Sequence, residues 1–341
     1  MPLKIGSVEF PHHVFCGPGS RGMFGKPYWY YAIWRFFGLS WWHTNFAAKT
    51  ITFLLRLGNT PLKEDGDTPR ERIPRSILIT FWGILSGHLA NAFGLSGPGA
   101  KFLLEQGIWQ KFKKPFVLSF MAVGKTREER MAEYRGFRDL LLSHMGDFLF
   151  PFVLQLNFGC PNAELSLSEL RGEIEEALRI MSELGVSLII NFNPLVPPEL
   201  LLEIEGLELE GARLCQGFWI ANTIHFDHDG LGERIFGSKI SPLLKRGLPI
   251  QSAGGISGPA CLKYTINTVR RARELGVTLP IIAGNGVQTP IGVWRLWKAG
   301  ASGISIATIA LLRPFMMILV ILTANLLFGR FRRKESRQWM S

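Results

Sequence analysis

Eight short apolar segments, most of them separated by stretches of helical periodicity, constrain this chain more than any other feature. The segments are "HHVFCG" (12–17), "NFAAKTIT" (45–52), "PFVLSFMAV" (115–123), "FVLQLN" (152–157), "SLIINFNP" (187–194), "GFWIANT" (217–223), "LPIIAGNG" (279–286) and "GISIAT" (303–308). Near-continuous apolar runs of this length mark strands buried on both faces, which implies a parallel sheet with helices outside it. The intervening stretches supply those helices: "TREERMAEYRGFRDLLLSHM", "SLSELRGEIEEALRIMSELG", a segment after Pro197-Pro198, "PACLKYTINTVRRARELG" and "PIGVWRLWKAG". Eight such units close into a (β/α)8 barrel, with a doubly wound open sheet as the structural alternative. At 341 residues the chain has the length of one barrel. The expected layout is a single barrel domain over 1–312, followed by an apolar helix and basic tail over 313–341.

A barrel makes a positional prediction: functional side chains belong at the carboxyl ends of the strands. The polar residues that interrupt the apolar runs fall there, at Lys49, Asn157, Asn191 and Asn222, with glycines at 284 and 286. Three small-residue turns, "AGGISG" (253–258), "AGNG" (283–286) and Ala307-Thr308, follow strand-like segments late in the chain. Glycine allows backbone N–H groups to approach a phosphate closely, and barrels often build phosphate sites from the loops after strands seven and eight. Asn91, in "ANAFGLSGPG", joins Asn157, Asn162 and Asn222 as a set of amides suited to reading the edge of a planar, amide-like ring.

Composition narrows the setting. An apolar fraction of 47% with 19% charged residues excludes a disordered chain. The four cysteines, at 16, 160, 215 and 261, have no paired spacing, and no signal peptide opens the sequence. A reducing, cytoplasmic location without disulfides or iron–sulfur ligands is therefore expected. The net charge of +11 favours anionic partners such as a phosphate cofactor, nucleic acid or an acidic membrane surface. The run "FMMILVILTANLLF" before "GRFRRKESR" is too short to span a bilayer and reads as a buried or interfacial helix with a basic tail. Contact of 315–341 with the inner face of a membrane follows as an expectation. The aromatic segment "YWYYAIWRFFGLSWW" (28–42) reads as a loop or helix packed over the core, with a membrane or quinone contact as the alternative.

Cys160 sits in "LNFGCPN", between Asn157 and Asn162. It lacks companions at metal-ligand spacing, and a loop thiol with a pKa near neutrality can serve as an acid or base. With "AAKTIT", "RLGNTP", "NAFGLSGPG", "ANT", "GGISG" and "AGNG" in order, this stretch resembles the dihydroorotate dehydrogenases, flavin-dependent β/α barrels, over most of the chain. The resemblance implies FMN held by Gly17, Lys49, Asn157, Asn191, Gly254, Gly255, Gly284, Asn285, Gly286, Ala307 and Thr308. It implies a dihydroorotate-like substrate held by Lys49, Asn91, Gly94, Leu95, Asn157, Asn162, Asn222 and Thr223, with Cys160 as general base and hydride passing to the flavin N5. A cysteine base is similar to the soluble class of the family, and the sequence begins almost at its first strand, without the quinone-binding helices of the membrane class. A homodimer agrees with the resemblance, and the electron acceptor is left open.

The chain departs from the family pattern at several positions. Asn191 stands where the family has a lysine, Gly97 where it has an asparagine, Gly159 where it has a serine and Ala307 where it has a glycine. A related dihydropyrimidine is therefore an alternative substrate. Two other readings compete. The "N-x-GCP" context is also similar to tRNA dihydrouridine synthases, which Asn162, "GGISG" and the lack of an appended RNA-binding domain argue against. A catalytically lapsed, membrane-associated barrel is the other.

Overall fold

The computed structural model describes residues 1–25, 28–29, 35–159 and 167–330. All eight expected strands are present and parallel: β1 (Val14–Cys16), β2 (Phe46–Ala47), β3 (Phe116–Phe120), β4 (Phe152–Asn157), β5 (Ser187–Phe192), β6 (Phe218–Ile220), β7 (Ile281–Ala283) and β8 (Gly303–Ile306). They neighbour one another in chain order, and β8 pairs back with β1. A parallel bridge between Phe15 and Asn45, with the Asn45 N–H donating to Val14 O at 2.7 Å, closes the ring between β1 and β2. The result is a (β/α)8 barrel.

Several strands are shorter than the sequence suggests. The segment 45–52 holds regular pairing only over Phe46–Ala47, after which Ala48 and Ile51 still donate to Val117 O and Ser119 O of β3.

Strand alternation divides the residues into two sets. The outward set, among them Phe116, Leu118, Leu154, Leu156, Leu188 and Ile190, packs beneath the helices in one large core. The inward set fills the barrel in layers. One layer joins Phe15, Ala47, Val117, Val153, Ile189, Trp219 and Ile282 to an antiparallel N-terminal hairpin, Leu3–Ile5 with Val8–Phe10, which plugs the amino end. Two residues further along β2 to β5 the inward positions turn polar, while β1, β6 and β7 give Gly17, Ala221 and Gly284 there, and the functional layer begins.

The outer helices are α1 (Ala100–Glu105), α2 (Arg127–Leu142), α3 (Leu167–Ser182), α4 (Pro198–Glu205), α5 (Leu262–Glu274), α6 (Pro290–Lys298), α7 (Thr308–Leu312) and α8 (Pro314–Arg330). Thr126 and Glu129 form a capping box that starts α2. Arg130 of α2 pairs with Glu173 of α3 through two bonds of 2.6 and 2.5 Å, both side chains buried. The final helix packs back on the barrel through Met317, Val320, Ile321, Ala324 and Phe328. Among the described residues, no helix is long and apolar enough to cross a membrane.

A second sheet was not foreseen from the sequence. Four short antiparallel strands, Ile77–Leu78, Leu89–Asn91, Gly255–Ser257 and Ile224–His225, pair in that order. They derive from the β2–β3 and β6–β7 connections, which leave the carboxyl ends of their strands, so this small sheet caps that end of the barrel. "AGGISG" is thus part of a strand in the cap, and not a turn after a barrel strand.

Candidate active site

At the carboxyl end, inward positions two residues beyond the apolar layer carry Lys49 after β2, Ser119 on β3, Gln155 and then Asn157 on β4, and Asn191 on β5. Ser119, Gln155 and Asn191 are fully buried. Ser119 Oγ donates to Gln155 Oε1 at 2.8 Å and shares a 2.9 Å bond with Thr50 Oγ1. Asn157 Nδ2 donates to Thr50 Oγ1 at 3.2 Å, and Asn222 Nδ2 donates to Asn157 Oδ1 at 2.8 Å. Asn191 Nδ2 completes the circuit, donating to Asn222 Oδ1 at 3.1 Å and Gln155 Oε1 at 3.3 Å. The strands hold these amides rigidly, so the mouth presents a neutral polar ring of fixed orientation.

That ring is incompletely satisfied. Gln155 Nε2, Asn191 Oδ1 and Asn285 Oδ1 are buried without a hydrogen-bond partner. Each orphaned buried group costs on the order of 1–3 kcal/mol, and orphans gathered in one place mark a site that a ligand completes. One donor and two acceptors suit a planar heterocycle with both kinds of edge group. The residues therefore fit a flavin ring.

Lys49 is the cation of the mouth. Its Nζ donates to Ser96 O at 2.5 Å, and burial lowers its pKa from 10.5 to about 8, with the nearby Asp67 carboxylate acting the other way. Asp67 is itself raised by burial, while N–H groups of Met23 and Phe24 and the charge of Lys49 oppose the rise. A buried lysine and acid of this kind are typical of functional sites.

The loop that meets Lys49 is built by the "RLGNTP" and "NAFGLSGPG" segments together. Arg56 and Gly97 form an antiparallel bridge, Arg56 Nε donates to Gly94 O at 2.9 Å, and Asn59 N donates to Phe93 O at 2.8 Å. Asn59 Nδ2 also donates to Ala92 O and Ile250 O, both at 2.8 Å. Gly94 and Leu95 both take positive φ here, 68° and 58°, the geometry of a tight reversal.

The remaining expected residues fall into two groups. Asn91 faces Gly255 across the cap sheet, where a side chain at 255 would collide with Thr223. Asn285 Nδ2 donates to Asn222 O at 2.9 Å and Ile256 O at 3.4 Å, and a Cβ on Gly286 would meet Gly258 and α5. These contacts bring Asn91, Asn222, Thr223, Gly254, Gly255, Gly284, Asn285 and Gly286 together under the cap. Next in the ring, after β8 and β1, Gly17 donates to Ile306 O at 2.8 Å, and its Cβ would lie 3.2 Å from that of Ala307, beside Thr308 at the start of α7. Cys160 and Asn162 lie outside the described residues. Asn157 Oδ1 accepts the Gly159 N–H at 2.9 Å, so the approach to Cys160 is anchored to the polar ring.

Sequence reasoning missed Thr50, Ser119, Gln155, Ser96 and Asp67. Ser119 and Gln155 were visible in principle, each a polar residue inside an apolar strand run and in phase with inward neighbours. Asp67 and Ser96 carry no local signal, because their role comes from loops meeting Lys49.

The model of the family described as dihydroorotate dehydrogenase matches residues 82–322, well over half of the chain. The chain belongs to the dihydroorotate dehydrogenase family. It is a flavin oxidoreductase of this type, a family of pyrimidine biosynthesis. Curated relatives include the catalytic subunit of dihydroorotate dehydrogenase B (NAD(+)) from Bacillus caldolyticus, 26% identical over 264 residues, covering 74% of this chain and 76% of the relative. The subunit of the same name from Bacillus cereus (strain AH187) is 24% identical over 296 residues, 83% of this chain and 85% of the relative. Among solved structures, dihydroorotate dehydrogenase from Eimeria tenella in complex with ferulenol aligns with a TM-score of 0.58 at 15% identity, covering 95% of this chain and 83% of that one. At that identity the likeness shows a shared fold.

Proposed function

We propose that the chain oxidises dihydroorotate, or a closely related dihydropyrimidine, with FMN bound at the carboxyl end of the barrel. The observation that carries this reading is the polar ring with its orphaned amide atoms at Gln155, Asn191 and Asn285. Gln155, Asn191 and Lys49 would hold the flavin ring. Gly254, Gly255, Gly284, Asn285 and Gly286, together with Gly17, Ala307 and Thr308, would hold the ribityl and phosphate portion. Bound FMN supplies the two-electron oxidant that accepts hydride.

The protein's own residues do the rest. Asn157 and Asn222, already bonded to each other, orient the substrate ring together with Asn91, Asn162 and Thr223. Lys49 provides the charge that attracts the substrate carboxylate, and Gly94 and Leu95 shape the loop over it. Cys160, as thiolate, removes the proton from one ring carbon as hydride leaves its neighbour, which converts the single bond between them to a double bond. Electrons then leave through a partner subunit, a reading supported by relatives that are named as catalytic subunits and by the lack of an NAD-binding fingerprint in this sequence.

The test is an anaerobic visible spectrum before and after adding dihydroorotate. Flavin absorbance that bleaches is the expected result. Flavin that stays oxidised would overturn the substrate, and a colourless protein that cannot be reconstituted with FMN would overturn the cofactor.

A further inference from the structure

The final helix, α8, has no charged residue between Pro314 and Gly329. Its inner side is committed to the barrel core. Its outer side carries Leu319, Leu322 and Leu326, a stripe at helical spacing in which each side chain is about half exposed. A helix on the surface of a water-soluble barrel normally puts polar residues there.

The neighbouring elements repeat the pattern. Helix α6, packed along α8, presents Ile291 and Trp294 to solvent. The short helix Phe81–Ser86 of the cap presents Phe81, Trp82, Ile84 and Leu85, with Trp82 71% exposed. Direct bonds join these elements into one surface. Arg313, at the entry to α8, donates to Leu85 O at 2.6 Å. Gln288, just before α6, donates to Gly87 O at 2.6 Å. On the other flank Asn325 of α8 donates to His43 O at 2.9 Å, next to Trp42, which is 70% exposed. Contiguous apolar surface of this extent marks an interaction site.

Charge selects the partner. The sequence contains no Asp or Glu over 10–63, 72–104 or 275–334, the stretches to which the residues of this face belong. Exposed Arg35, Arg295 and Lys298 lie within those stretches, and the sequence beyond Gly329 adds "RFRRK". The acids gather across the ring on α2, α3 and α4, for example Glu128, Glu133, Glu175, Glu176, Glu199 and Glu203, whereas α8 packs against β8 and β1. A two-fold dimer through the apolar face would set the basic residues of these stretches against copies of themselves, with no acid in the same stretches to pair them. An anionic lipid surface offers both complements at once, an apolar interior and a negative headgroup layer.

We propose that this face docks on an anionic bilayer, with α8 lying in the interface and the Phe81–Ser86 helix inserting beside it. The docking surface thus extends well beyond the C-terminal segment, to the cap and to α6. It leaves the barrel outside the membrane, since among the described residues no helix is long and apolar enough to cross.

The experiment is flotation of the full-length protein with vesicles of phosphatidylcholine alone or mixed with phosphatidylglycerol. The protein should float with the mixed vesicles, and more weakly with phosphatidylcholine. Leu319→Glu/Leu322→Glu and, independently, Trp82→Glu/Leu85→Glu should each weaken vesicle binding by roughly tenfold or more. All four residues are exposed, so circular dichroism and thermal melting should match wild type; a pair that fails this control leaves the other to decide. Protein that stays at the bottom with anionic vesicles at low salt would overturn the proposal, as would charged variants that float like wild type. Sedimentation velocity showing that the face is occupied by a second copy, with no vesicle binding, would overturn it equally.

Discussion

Replacing Lys49 with methionine should change how the stability of the flavin-free protein depends on pH. Lys49 is 9% exposed, and its pKa in the folded protein is about 8 against an ordinary value of 10.5. Below pH 8 the lysine is charged in both folded and unfolded chains, and the folded state bears the full cost of burying the ammonium. Between pH 8 and 10.5 the unfolded chain keeps a proton that the folded chain has released, so the free energy of unfolding rises with pH. Above 10.5 the side chain is neutral in both states and the cost is gone. At about 1.4 kcal/mol per pH unit, the interval is worth about 3 kcal/mol. Methionine retains an unbranched apolar stem without the charge. It also loses the bond to Ser96 O, worth about 1 kcal/mol, and the attraction to Asp67. The variant should therefore be the more stable protein at pH 7, and wild type should gain about 3 kcal/mol on it between pH 8 and 10.5. Urea denaturation of both proteins across that range measures this, because every other titrating group is common to the pair. A stability difference that does not vary with pH would refute the reasoning. The physical sense of the arrangement is a sacrifice of stability to keep a cation at the mouth.

Asn191→Lys alone places a charge in a fully buried position whose contacts, Gln155 and Asn222, are neutral, and it should cost about 3–5 kcal/mol. The cation should raise the flavin potential, and adding Gln155→Glu should recover at least about 1 kcal/mol of stability while giving back part of that rise; urea denaturation and dye equilibration read both, and full additivity would show that the two positions are not coupled. Cys160→Ser should retain bound flavin yet slow its reduction by dihydroorotate by about 10²–10⁴-fold in anaerobic stopped flow, and reduction at the wild-type rate would remove Cys160 as the base. Glu173→Ala leaves the buried Arg130 guanidinium without its carboxylate, and a loss of about 3–5 kcal/mol should appear as an earlier urea midpoint; an unchanged midpoint would place no weight on that pair.

The barrel was legible because its strands are buried on both faces, so each reads as an apolar run whatever its partner. Strand ends were not, since pairing at Ala47 or Ile220 stops where the geometry of the mouth takes over, and the apolar run continues past that point. The cap sheet was invisible for a different reason. Leu89–Asn91 and Gly255–Ser257 are three-residue strands brought together from distant parts of the chain, and neither carries a period long enough to read. The N-terminal hairpin escaped likewise. Within the mouth, the asparagines stood out because amides are conspicuous at the end of apolar runs. The hydroxyl and amide of Ser119 and Gln155 lie inside the runs, where only the two-residue alternation reveals that they face inward with Val117 and Val153.

Two departures from the family pattern that look independent in the sequence meet in space. Gly159 replaces the serine of the resembling motif, and Asn191 replaces its lysine. In the structure Asn222 lies between them: its Nδ2 bonds Asn157 at 2.8 Å and its Oδ1 accepts from Asn191 at 3.1 Å. A Cβ at position 159 would fall on the Asn222 amide, so this Asn157–Asn222 bond and a side chain at 159 exclude one another. The loss of the serine makes room for Asn222, and Asn222 in turn supplies a neutral acceptor suited to an asparagine at 191. A lysine there would find the same acceptor but no counter-charge, because Gln155 beside it is also an amide. Gly159 and Asn191, with the Gln155 amide beside them, thus form one self-consistent arrangement. Restoring the family residue at 159 or at 191 alone should fail, because a serine at 159 displaces the Asn222 amide and a lysine at 191 finds no counter-charge.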